Sequence, residues 1–170
     1  MKLELRKVSW SKALSEETPA YSAQVWIDGR HFCDVSNHGQ GGCDCQYPPK
    51  GMTNPAFQPL LAAMNARIKA EFPAETFKAG GDDFTMEQSL ESLCQKELYR
   101  QDLVKSVKRD LAKKILFVKP GKKGLWTIKI PNEAQRTQLI DIVKKKHGLD
   151  RTLNEMTLDE AVAVYEQQAA

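Results

Sequence analysis

The chain has 170 residues, 41% of them apolar and 28% charged, with a formal net charge of +3. This composition excludes a disordered or low-complexity polymer, and the length lets an apolar core form without a metal or disulfide to hold it. The longest unbroken aliphatic run, Leu60 to Met64, is five residues, against the ~20 that a bilayer-spanning helix needs, so no membrane partner is expected.

Residues 2–10 read as a strand, with Leu3, Leu5 and Lys7 on one side and Glu4, Arg6 and Val8 on the other. A second strand at Tyr21 to Ile27 is rich in aromatic and β-branched residues. Asp28-Gly29 follows as a hairpin turn, and Arg30 to Ser36 is the return strand. The glycine-rich stretch that starts at Asn37 runs on as irregular chain to Gly51, longer than most connections. A helix opens at Asn54-Pro55, has an apolar face of Leu60, Leu61, Met64 and Ile68 through about residue 71, and stops before Pro73. Ala79 to Asp83 reads as a flexible acidic break and marks the one plausible boundary, near residues 79–84, in an otherwise single domain spanning 1–170.

Thr85 and Gln88 have capping-box spacing, which predicts a long helix over 85–115 with an irregularity near Gln101, where the apolar spacing slips. Lys114–Lys119 and Leu125–Ile130 read as a second hairpin around Pro120-Gly121-Lys122-Lys123-Gly124. Asn132 caps a helix that ends in Lys144 to His147 and Gly148, and Thr157 with Glu160 caps a last one, whose Leu158, Ala161, Val162 and Tyr165 face inward. Strands in hairpins and helices in runs predict an α+β fold: an N-terminal group of three antiparallel strands and a second hairpin near 114–130, packed with about four helices.

The net charge hides an asymmetry. Residues 1–50 balance, 51–104 carry a net −3, 105–129 a net +8, and 130–170 a net −2. Lys105, Lys108, Arg109 and Lys113 fall at helical spacing, and Lys119, Lys122 and Lys123 follow on the hairpin beside Trp126. Such a block meets phosphates without reading sequence, and a tryptophan can stack a base. An acidic protein surface or plain solvation accounts for the same lysines. The expectation is that these eight residues form one outward-facing binding region.

Cys33, Cys43, Cys45 and Cys94 are the cysteines. The charged start, Met1 to Lys7, is not expected to act as a secretory signal, so reduced thiols in a cytoplasmic setting are expected. His31, Cys33, His38, Cys43 and Cys45 include enough ligand types for zinc, but the Cys-x-Cys spacing is tighter than structural zinc sites use. They read first as packing and loop residues, with zinc or a thiol nucleophile as alternatives, and no cofactor is expected. Gly39-Gln40-Gly41-Gly42 follows a strand but opens no helix, as a phosphate loop would. No Ser-His-Asp, His-Glu-x-x-His, kinase or P-loop pattern occurs.

The segment Ala23-x-Val25-x-Ile27-Asp28-Gly29, with Val35-Ser36-Asn37-x-Gly39-x-Gly41-Gly42 and the tail Asn154-Glu155-Met156-x-Leu158-Asp159-Glu160-Ala161, resembles a pattern in small uncharacterised accessory proteins of phages and plasmids. The resemblance covers about a quarter of the chain and transfers no catalytic residue. It implies a non-catalytic binder of a host protein or protein–nucleic-acid complex, such as an inhibitor of a bacterial defence system. Direct nucleic-acid binding through residues 105–129 is the alternative, and a zinc- or thiol-dependent protein centred on residues 31–45 the second alternative.

Overall fold

In the computed structural model, which describes residues 1–169, the chain is α+β, as the hairpin and helix pattern predicts. Its contacts divide it into two compact units, Met1–Tyr99 and Arg100–Ala170.

In the first unit, β1 (Leu3–Ser11), β2 (Ala20–Ile27), β3 (Arg30–His38) and β4 (Cys45–Tyr47) form an antiparallel sheet in that order. The pairing of β1 with β2 slips between Arg6 and Ser9, where Lys7 takes φ 51°. This bulge moves the inward face from Leu3 and Leu5 to Val8 and Trp10. It explains the imperfect alternation, and it corrects the expected side of Lys7, which is exposed. Asp28 (φ 48°) and Gly29 (φ 80°) make the tight turn between β2 and β3. The three-residue β4 falls inside the stretch expected to be irregular, and its Cys-Gln-Tyr sequence carries no apolar alternation to announce it.

Helix α1 (Asn54–Glu71) spans the expected residues, with Thr53 rather than Asn54 at its cap position. Two expectations fail after it. The acidic break is a hairpin of β5 (Glu75–Ala79) and β6 (Asp82–Met86), turned at Gly80-Gly81 with φ 63° and 97°. Phe77 and Phe84 pair across it, with ring centroids 5.9 Å apart and about half of each side chain exposed. The next helix, α2 (Leu90–Lys113), therefore starts five residues later than Thr85 implies. Its reciprocal cap is made by Ser89 and Ser92: the Ser92 N–H donates to Ser89 Oγ at 3.2 Å, and the Ser89 N–H to Ser92 Oγ at 2.9 Å. Serine at both positions satisfies the free amides as well as the Thr/Gln pair would.

Helix α2 runs unbroken through Gln101. The slip in its spacing falls where the helix passes from one core to the next. Leu90, Cys94 and Leu98 belong to the core of the first unit, with Val25, Cys33, Val35, Phe57 and Ile68. Leu103, Val104, Val107 and Leu111 belong to a core of the second.

The second unit is built on β7 (Lys114–Val118) and β8 (Leu125–Lys129), an antiparallel pair. Ile115, Leu116 and Phe117 are all buried, so β7 is covered on both faces. Ile115 and Phe117 pack with Val143 of α3 (Arg136–His147). Leu116 packs with Val107 of α2, Leu153, and Ala161 and Val162 of α4 (Leu158–Ala169). The last carbonyls of α2 are satisfied from outside the helix: Asn154 Nδ2 donates to Leu111 O at 3.1 Å, and Arg136 donates to Leu111 O and Ala112 O at 2.9 and 2.8 Å. Gly148, at φ 62°, closes α3, and Thr157 with Glu160 forms the expected box before α4. Among the described residues no helix is long and apolar enough to cross a membrane.

Candidate functional site

Register decides which side of the β7–β8 hairpin each basic residue takes. Phe117 faces Trp126 directly across the ladder, and Ile115 faces Ile128, so these side chains share the α3 side, and alternation adds Lys119. The Lys119 ammonium lies 3.4 Å from the centre of the Trp126 ring, a cation–π contact. Trp126 remains 40% exposed. Beside them, His147 stacks on Phe117 with ring centroids 5.0 Å apart. Partial burial, then the charges of Lys119 and Lys146, hold the His147 imidazolium below its usual range. Lys119, Trp126, Lys146 and His147 thus make one electropositive, aromatic cluster.

The hairpin tip carries Lys122 and Lys123 on beyond Lys119, next to α4. Lys122 N–H donates to Lys119 O at 3.2 Å, closing a turn through Pro120 and Gly121. Gly124 N–H donates to Gln168 Oε1 at 2.8 Å, which ties the tip to α4. A shallow groove of about 440 Å³ lies between the backbone of the tip and Gln168, flanked by Lys119, Lys122 and Lys123. Among the described residues, no carboxylate lies within 4 Å of Lys119, Lys122, Lys123, Lys145 or Lys146. Lys114 and Lys144, in contrast, are paired with Asp110 and Glu155.

The expected single region is therefore two. Val104, Val107 and Leu111 of α2 cover the Leu116 side of the hairpin. Lys105, Lys108, Arg109 and Lys113 are exposed on the outer arc of that helix, while Trp126 and Lys119 sit on the α3 side. Chain proximity brought the two groups together in the sequence, and the intervening two-stranded sheet separates them. Nothing in the sequence marks Lys146 and His147 as site residues, because a lysine-rich last turn is ordinary helix-end chemistry.

The cysteine and histidine candidates do not converge. Cys33 is fully buried between Val25 and Val35 on the core face, and burial, with Asp34 nearby, pushes its thiol up to about 12. Cys94 is also buried and its thiol is pushed up by the same cause. Cys43 and Cys45 are exposed. His31 stacks on Trp26 and shares a 3.0 Å hydrogen bond with Asp34, and His38 is exposed at the end of β3. Among the described residues no three His, Cys, Asp or Glu side chains group as metal ligands would.

What the glycine-rich segment holds is a buried polar knot. Asp44, 8% exposed, accepts hydrogen bonds from the Tyr21 hydroxyl and, at 3.0 Å, from Asn37 Nδ2. Its N–H donates to Glu91 Oε1 at 3.0 Å. Asn37 Oδ1 accepts from Thr18 Oγ1 and from Gly39 N–H, both at 2.8 Å. Burial and the Asp44 hydrogen bond push the Tyr21 phenol far above its ordinary value. These bonds make the segment a clasp between β2, β3 and the start of α2.

Comparison of the chain with protein-family models, with curated proteins and with solved structures found no match.

Proposed function

We propose that this chain is a binding protein that docks on nucleic acid through the β7–β8 hairpin and the end of α3. The observation that carries this reading is the Lys119–Trp126 pair, flanked by lysines that no carboxylate of the described residues neutralises. Lysines held near one another cost electrostatic energy that an arriving phosphate relieves, and each phosphate contact releases condensed counterions. The exposed part of the indole offers a surface on which a base can stack. The α2 cations Lys105, Lys108, Arg109 and Lys113 form a second, separate contact set.

In the setting that the sequence resemblance implies, the nucleic acid would belong to a host protein–nucleic-acid complex, and occupying it would inhibit that complex, for instance in a defence system. The test is fluorescence polarisation of labelled single-stranded and duplex oligonucleotides with the full chain. Micromolar or tighter binding that drops in K119Q/K122Q/K123Q supports the reading. Binding that is absent, or untouched by that variant, overturns it.

A further inference from the structure

The first unit holds a cleft of about 560 Å³ that neither the clasp nor the basic hairpin uses. Its size falls within the ~300–1,000 Å³ common to small-molecule sites. Ile27, Phe32, Met52, Leu60 and Met64 supply an apolar lining from β2, β3, the chain before α1, and α1 itself. Leu60 is 47% exposed, so part of this lining is apolar surface left in water.

The rim is charged and, with one exception, matched. Asp28 sits in the hairpin turn, accepts the Lys2 N–H at 2.7 Å, and faces Arg67 at 3.6 Å. Arg67 is also held by Glu71 at 2.5 Å. His31 is engaged by Asp34. Arg30 is the exception: it lines the cleft, is exposed, and among the described residues has no carboxylate within 4 Å. The turn that carries it is fixed by the backbone conformations of Asp28 and Gly29 and by the two contacts of Asp28, so the guanidinium stands beside an already formed apolar wall.

We propose that this cleft binds a small apolar carboxylate, its hydrocarbon part laid over Met52, Leu60 and Met64 and its carboxylate on Arg30. An apolar lining with a single unmatched cation selects for an anion that carries a hydrophobic body, because a neutral hydrocarbon leaves the cation unused and a small hydrophilic anion leaves the wall wet.

The probe is octanoate, kept below its micelle concentration, titrated into the full chain and followed by amide shifts in two-dimensional NMR. Saturable shifts centred on Ile27, Arg30, Met52, Leu60 and Met64 are expected. R30Q should weaken binding about tenfold, R30K should recover part of the loss, and octanamide should bind the native chain about as weakly as octanoate binds R30Q. Leu60→Ser, at an exposed position, should weaken both ligands. Absence of shifts at saturating octanoate, shifts centred elsewhere, or equal affinity in the native chain and R30Q would each overturn the proposal.

Discussion

Lys119 Nζ stands 3.4 Å above the centre of the Trp126 ring, on the side of the hairpin where His147 stacks against Phe117. The ring does two things there. It holds a long, mobile lysine in one place, and it keeps apolar surface next to charge. Both lower the cost of ordering the site when an anionic partner arrives.

Trp126→Ala should therefore weaken oligonucleotide binding by about 1–3 kcal/mol. The loss should exceed that of Lys129→Gln, which removes one charge from the same strand. Because Trp126 is 40% exposed, the fold should survive. Polarisation titrations paired with circular-dichroism melting curves check both halves of the expectation.

His147 gives the binding a pH dependence. In the free protein its pKa is lowered by burial, Lys119 and Lys146. A bound phosphate relieves the repulsion, so binding takes up a proton and affinity should rise as pH falls from about 7.5 to 5.5. Stability runs the other way. A lowered folded-state pKa means the unfolded chain binds the proton more readily, so the contribution of His147 is present above the ordinary histidine pKa and lost as pH falls through the folded value. His147→Gln should flatten the affinity profile, as measured by titration in matched ionic strength.

Gly39 is the glycine with least freedom to change. A Cβ there would meet Leu14 O at 2.1 Å and Ala20 Cβ at 2.7 Å, at φ +87°. The Gly39 carbonyl also accepts the N–H groups of Glu16, Glu17 and Thr18 at 2.9, 3.1 and 3.4 Å. Gly39→Ala should cost about 2 kcal/mol or more in urea unfolding, from strain and overpacking together. Gly42→Ala, with a similar φ of +86° but nothing within 4 Å, should cost about 1 kcal/mol.

Asp44 and its neighbours separate a structural role from a chemical one. Asp44→Ala strands the Tyr21 hydroxyl and removes one acceptor of Asn37, and should destabilise by about 2–3 kcal/mol. Cys43→Ser and Cys45→Ser, at exposed positions, should stay within about 0.5 kcal/mol. Denaturant unfolding of the three variants tests this. Equal losses would mean the exposed thiols hold the segment as firmly as the carboxylate does.

The sequence revealed most where local chemistry is specific. The Asp28-Gly29 turn, the β7–β8 hairpin, the Gly148 stop and the Thr157–Glu160 box each follow from a conformation or hydrogen bond that few residue types supply. It misled where two patterns overlap. Thr85 and Gln88 have a cap's spacing, yet Thr85 pairs with Thr76 in a hairpin whose turn is the Gly80-Gly81 pair read as a break. The slip at Gln101 was visible, but its cause, one helix supplying residues to two cores, needs the cores to be seen. The basic block was legible as composition. Its division across the two faces of β7–β8 was not, because the strand alternation that separates Lys119 from Leu116 says nothing about which helix covers which side. Lys146 and His147 joined the site from a helix about twenty residues on, a long-range contact that charge counting along the chain does not show.

The most direct test of nucleic-acid docking is the salt dependence of oligonucleotide affinity in the native chain and in K119Q/K122Q/K123Q. On duplex DNA the native plot of log affinity against log salt should be steep and linear, and the variant should lose about 2 to 3 units of slope, near 0.9 for each phosphate contact removed. A native slope near zero, or identical slopes for both proteins, would contradict the assignment of the hairpin as the phosphate-binding element.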